Sequence, residues 1–312
     1  NQFMIQTGKR LFKGYDFYED VHKFVFDLET TGLEPSKDCI LTIGMKDNRN
    51  FEHIIHIPLN DKEKELSAID TFHKIIKTLK PAVITSYNGF GFDYPFMDER
   101  CKIHGFDYKD LTRTLHEEKK LFYKNSRLKL GGETQFFVQP KLWGFNNLDT
   151  IFAVLRAQAI DSSMKKAGLK YVTKYSKINK KNRVYMPTDK DSSIISKTYL
   201  DTINQYAFNN EDGNWYKIDD KHLLKEGYEI VTGKYLVERY LLDDLWETME
   251  VDNIYNQANF LMAKLIPTNF ERICTMGTAG IWKLIMQAWS YENKLAIPIG
   301  QEKRSIVGGL SR

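Results

Sequence analysis

The stretch FVFDLETTGLEP, residues 24–35, limits the possible folds of this chain more than any other. Three apolar residues, Phe24 to Phe26, lead into Asp27 and Glu29, and Thr30-Thr31-Gly32 then breaks the run. A short apolar run closed by turn residues reads as a buried strand, here Lys23 to Asp27. Two explanations of its carboxylates stay open at this point. One is a solvated strand end, where acids and a glycine turn are common; the other is a metal site at the end of a sheet strand.

The neighbouring segments supply the rest of a sheet. Residues 1–20 form a short leader with Gly8 and Gly14 as breakers. Cys39 to Met45 and Phe51 to Ile57 read as two strands joined by the turn-rich KDNRN, a β-hairpin. Leu66, Ile69, Phe72, Ile76 and Leu79 recur at helical spacing until Pro81. AVITSYN is a short buried strand, and DYPFMDERCKIHG opens a helix that Gly105 closes. Strand, hairpin, helix, strand, helix is the order of a mixed α/β sheet flanked by helices. Beyond Leu142 the pattern turns mostly helical: NNLDTIFAVLRAQA, LKYVTKYSK, the long amphipathic run from Lys234 to Pro267, and GTAGIWKLIMQAWSYENK. Lys120 to Gln139, with Gly131-Gly132 at its centre, reads as a surface hairpin.

The 312 residues suit one large domain or a domain with an appendage, and 42% hydrophobic with 28% charged residues describes a soluble globular chain. A net charge of +4 does not by itself identify a nucleic-acid binder. The distribution says more. Lys165, Lys166, Lys170, Lys174, Lys177, Lys180, Lys181, Arg183 and Lys190 crowd one segment, and Lys119, Lys120, Lys124, Arg127 and Lys129 another, with Tyr123, Tyr171, Tyr175 and Tyr185 between them. These are either solvated faces or phosphate-facing surfaces with stacking aromatics. Cys39, Cys101 and Cys274 are scattered, which suggests neither a disulfide framework nor a zinc site and fits a reducing compartment. There is no signal peptide and no apolar run of membrane-spanning length, so the expectation is an intracellular chain, not secreted, with a virus or mobile element among the sources left open.

Two further strings carry acids. In SYNGFGFDYPF, Asp93 opens a helix and reads equally as its N-cap. In ERYLLDD, Tyr240 and Asp244 are four residues apart and share a helix face. Four converging carboxylates repel one another unless cations are bound. Hard oxygen ligands suit Mg²⁺ or Mn²⁺, and two such ions roughly 3.5–4 Å apart stabilise both the attacking and leaving oxygens of a phosphodiester displacement.

FDLETTGL, NGFGFD and YLLDD resemble, in order, the three motifs of the DEDD superfamily of 3′–5′ exonucleases: D-x-E, N-x(2–3)-F/Y-D and Y-x(3)-D. The tyrosine marks one branch; the other places His five residues before the last Asp, where this chain has Arg239. Within the superfamily the chain is most similar to the exonuclease region of family B DNA polymerases. AWSYENKLAIP followed by IVGGLSR resembles that family's passage toward the palm, with Ile306 in place of its Tyr. The polymerase motifs D-x(2)-S-L-Y-P-S and D-T-D do not occur in this sequence.

The resemblance implies a ribonuclease-H-like fold: a leader (1–20), an exonuclease domain (21–266, with an insert at about 160–235) and a helical connector (267–312) toward a palm, with palm, fingers and thumb in a parent chain. It implies two divalent ions, Mg²⁺ or Mn²⁺, held by Asp27, Glu29, Asp93 and Asp244, with Asp27 bridging, Asp93 acting through water and Tyr240 orienting the attacking water. Thr31 and Leu33 take the positions that grip the terminal nucleotide, Asn88 and Phe92 those that contact the preceding ones; Leu33 and Phe92 read otherwise as core, and Asn88 as a turn cap. Asp149 reads as a helix N-cap rather than a ligand. The implied activity is removal of nucleotides from single-stranded or mismatched DNA 3′ ends, a proofreading function. The alternatives are a stand-alone nuclease of this fold, on DNA or RNA, and a catalytically silent nucleic-acid-binding module.

Overall fold

The computed structural model describes residues 1–115, 118–130, 133–219 and 222–297. The hairpin's central Gly131-Gly132 and the IVGGLSR tail lie outside them. The main sheet is built from β1 (Lys23–Thr30), β2 (Ile40–Asp47), β3 (Glu52–His56), β4 (Val83–Ser86) and β7 (Asn146–Asp149), in the order β3-β2-β1-β4-β7. β1, β2 and β3 pair antiparallel, whereas β4 runs parallel to both β1 and β7. This is the mixed α/β sheet expected from the sequence, in a ribonuclease-H-like arrangement. β5 (Phe122–Leu130) and β6 (Glu133–Lys141) form the separate antiparallel hairpin.

The helices are α1 (Gln2–Thr7), α2 (Lys62–Leu79), α3 (Asp93–Ile103), α4 (Tyr108–Leu111), α5 (Ile151–Ile160), α6 (Leu169–Tyr175), α7 (Ile194–Leu200), α8 (Gly233–Ala263), α9 (Phe270–Thr275) and α10 (Thr278–Glu292). Asp61 caps α2 by accepting from the Lys64 N–H at 3.0 Å, and Lys80 ends it in a left-handed turn, φ 51°, just before Pro81. The period-2 rule for strands then divides β1 into two faces. Phe24, Phe26 and Leu28 bury against Ile69, Phe72 and Ile76 of α2, with the Phe26 and Phe72 rings 4.9 Å apart. Burial of three such side chains contributes about 1.5–3 kcal/mol each. Buried Glu65 ties the layers together: Oε1 accepts from the Ile40 N–H and from Arg100 Nε, both at 2.9 Å.

Two segments depart from the expected pattern. NNLD, expected as helix, is the fifth strand; its hydrogen bonds go to β4, and the Asn147 N–H donates to Glu271 Oε1 at 2.7 Å. The insert, expected as mostly helical, contains α6 and α7 but also a small sheet of β8 (Tyr206–Phe208), β9 (Trp215–Lys217) and β10 (Glu229–Val231), in the order β10-β8-β9. Its Tyr206 and Phe208 bury against Leu236, Val237 and Tyr240 of α8. At the other end of α8, Phe270, Ile273 and Cys274 of α9 share one buried cluster with Tyr18, Val83 and Leu148, and Leu11, Phe12 and Tyr15 pack against it. α10 leaves Trp282, Ile285 and Trp289 exposed. Among the described residues, no helix is long and apolar enough to cross a membrane.

Candidate active site

Asp27 and Glu29 lie within β1, which runs on to Thr30 rather than ending at Asp27, and both share the face of Val25. Their cross-strand partners in β2 are Gly44 and Thr42. At Gly44 a Cβ would sit 2.7 Å from the Leu241 side chain, which would have to shift, so the glycine lets Leu241 of α8 lie directly on the sheet. Val25 packs there with Leu241, Leu245 and Met249. That contact sets the rotation of α8, and its adjoining face carries Tyr240 and Asp244 over the two strand acids. One oxygen from each of Asp27, Glu29 and Asp244 lies within 4.8 Å of the others.

Asp93, at the start of α3, is buried beside this trio but outside it; its Oδ1 accepts the Leu28 N–H at 3.1 Å. Burial, then the charge of Asp244, pushes the Asp27 carboxyl up to about 7 from an ordinary 3.8, while Lys170 and Arg183 oppose the rise. Burial and then the Asp27 charge raise Glu29 and Asp93 as well. The Tyr240 phenol is raised by burial, then by Asp244. Acids under such pressure keep their charge at neutral pH only with cations close by. The donor set is all oxygen and compact, and it fits a hard divalent ion such as Mg²⁺ or Mn²⁺.

The residues expected to touch nucleotides are placed differently from one another. Leu33 is 75% exposed, so it is not core, and Asn88 is exposed in a left-handed turn at φ 64°. The Thr31 hydroxyl is engaged within its own turn, donating to Asp38 Oδ1 at 3.1 Å and accepting the Cys39 N–H at 3.0 Å. Phe92 is half-buried, its ring 5.3 Å from Phe96.

Four residues have roles that the sequence reading did not give. Asp149, expected as a helix N-cap, is instead the last residue of β7, with Thr150 at the N-cap of α5: its Oδ1 accepts the N–H groups of Asn88 at 2.7 Å and Ile151 at 3.2 Å, and its Oδ2 accepts that of Phe90 at 3.0 Å. It thereby pins the loop that delivers Asp93. The other three, Lys170, Lys180 and Arg183, are the cations of the basic insert that turn inward, while Lys165, Lys166, Lys174, Lys177, Lys181 and Lys190 stay exposed. Lys170 Nζ donates to Asp244 Oδ2, and Arg183 donates to Asp244 Oδ1. Arg183 is fully buried, ion-paired to Glu247 at 3.1 Å and 4.9 Å above the Tyr240 ring. Burial lifts the Glu247 carboxyl to about 7, with Arg183 opposing. Lys180 pairs with Asp243 at 3.0 Å. Lys170, Lys180 and Arg183 therefore serve acids of α8 rather than forming a solvated or phosphate-facing surface. The only sequence signal for this was the clustering of cations in a segment with few acids of its own.

The fold is ribonuclease-H-like, and the profile of the RNase_H superfamily matches residues 24–149. Parts of the chain are also similar in sequence to fungal and archaeal DNA polymerases. The chain is 39% identical over 114 residues to the catalytic subunit of DNA polymerase epsilon from Schizosaccharomyces pombe, covering 28% of this chain and 5% of that protein. It is 34% identical over 89 residues to a DNA polymerase of Archaeoglobus fulgidus, covering 27% of this chain and 11% of that one. In structure it is similar to the family B DNA polymerase of Pyrobaculum calidifontis, with a TM-score of 0.57 and 17% identity over 91% of this chain and 31% of the other. The chain thus corresponds to a small part of these relatives.

Proposed function

We propose that the chain is a metal-dependent 3′–5′ exonuclease that removes nucleotides from single-stranded or mismatched DNA 3′ ends, the proofreading portion of an intracellular family B polymerase. The observation that carries this reading is the convergence of Asp27, Glu29 and Asp244 within 4.8 Å, under a tyrosine one helical turn from Asp244. Asp27, Glu29 and Asp244 would hold one divalent ion, and Asp93, beside them, would contribute to a second through water. When bound, the ions would lower the pKa of a water and offset charge on the phosphoryl oxygens. Tyr240 orients that water with its hydroxyl, kept protonated by burial and the neighbouring acids. Leu33 and Asn88 are both exposed, which supports their contact with the last nucleotides of a strand.

One observation favours a second reading, a silent nucleic-acid-binding module: both oxygens of Asp244 are engaged by cations. Incubating the chain and 5′-labelled single-stranded DNA with Mg²⁺ separates the two. A ladder shortening one nucleotide at a time from the 3′ end, absent for Asp27→Ala, supports the exonuclease. Intact DNA under the same conditions rejects it.

A further inference from the structure

Asp244 divides its two oxygens between unlike cations. Arg183 is fully buried and fixed by Glu247 on one side and the Tyr240 ring on the other. A planar guanidinium held this way has nowhere to go. Lys170 differs: its side chain is 35% exposed, and its ammonium is a point charge on a flexible stem, lying 4.6 Å from the Tyr240 ring centre while it holds Asp244. It sits on Oδ2, whereas Oδ1 belongs to Arg183.

We propose that Lys170 is a built-in competitor for the divalent cation: it holds Asp244 Oδ2 when no metal is bound and swings away when metal arrives, while Arg183 keeps Oδ1 throughout. This rests on the reading that Asp27, Glu29 and Asp244 hold a metal ion. The consequence is that the insert tunes metal affinity, keeping the three acids partly neutralised in the empty state at the expense of metal binding.

The test is Mn²⁺ binding by the full chain, measured by isothermal titration calorimetry, with acylation of Lys170 followed by mass spectrometry. Lys170→Met removes the competitor and should lower Kd about tenfold, worth about 1.4 kcal/mol; Lys170→Arg should bring it back toward the parent value. Lys180→Met is the control, because Lys180 carries the same charge in the same insert but pairs with Asp243, outside the trio. It should leave Kd nearly unchanged. In the parent chain, Mn²⁺ should speed acylation of Lys170 and not of Lys180. Equal effects of the Lys170 and Lys180 substitutions, or acylation of Lys170 indifferent to Mn²⁺, overturn the competitor while leaving the metal site standing. A parent chain whose Mn²⁺ binding is missing, or survives in Asp244→Asn, overturns the metal reading and this inference together.

Discussion

Asp27→Asn should make the metal-free protein more stable while removing its response to metal. The Asp27 carboxyl stands at about 7 in the fold against an ordinary 3.8, a rise of about 3 units. The folded state therefore binds more protons than the unfolded chain between those two values, and stability is lost as pH rises through that window. Above pH 7 the loss is complete, and its ceiling is about 4 kcal/mol at 1.36 kcal/mol per unit. Asp27 is only half-buried, so water screens part of this, and about 2 kcal/mol is the better expectation. Asparagine keeps the shape and drops the charge. For a chain of 312 residues that corresponds to a rise in Tm of about 3 °C. The assay is differential scanning calorimetry in EDTA at pH 4, 5.5 and 8. The variant's advantage should be near zero at pH 4, intermediate at pH 5.5 and greatest at pH 8. Adding Mg²⁺ at pH 8 should then stabilise the parent far more than the variant. An advantage independent of pH, or a variant less stable than the parent at pH 8, would refute the claim that unbalanced negative charge strains this site.

Tyr240→Phe keeps the ring against Arg183 and removes the hydroxyl; single-turnover cleavage should fall about 10–10³-fold, somewhat under the range for acid–base groups, with Mn²⁺ affinity unchanged. Mismatched or single-stranded 3′ ends should be degraded faster than matched duplex ends, with binding weakened by salt; equal single-turnover rates on matched and frayed ends would count against a single-strand channel. Phe270→Ala should cost about 3–5 kcal/mol in urea denaturation, because Phe270 is fully buried against Phe12 and Tyr18. Removing everything after Pro267 should likewise cost stability, since α9 supplies part of the core under β4 and β7; a truncated chain as stable as the parent would show that α9 is a detachable connector.

The sheet is readable in the sequence wherever side-chain alternation or turn chemistry dominates. β1, the β2–β3 hairpin, α2 and α3 all follow from apolar spacing and their punctuating residues. β7 does not, because NNLD has no alternation and sits directly before a helical pattern; it is a strand because β4 presents an open edge and Glu271, far along the chain, meets the Asn147 N–H. The small sheet of the insert escapes a reading of the sequence for a related reason. Its strands are three residues long, and they hold together by packing Tyr206 and Phe208 onto α8 rather than by any local pattern.

The candidate site shows the same division between local and long-range information. Asp27, Glu29, Tyr240 and Asp244 stand out in sequence because each pair is close in the chain and lies on one face of one element. What lies across the cleft from them does not stand out. Arg183 and Lys170 look like two more cations in a basic segment, and their roles emerge only when the insert folds back over α8. The charge arithmetic still carries a hint of it. Acids that converge need cations near them, and the cations need not all be metal ions. A segment with nine Lys and Arg residues, falling between the second and third acidic motifs, is a natural place to look for the remainder. The protein thus carries internal counter-charges for its acids, and Asp244, with one oxygen on the buried Arg183 guanidinium and the other on the Lys170 ammonium, is the acid of the trio that the insert reaches directly.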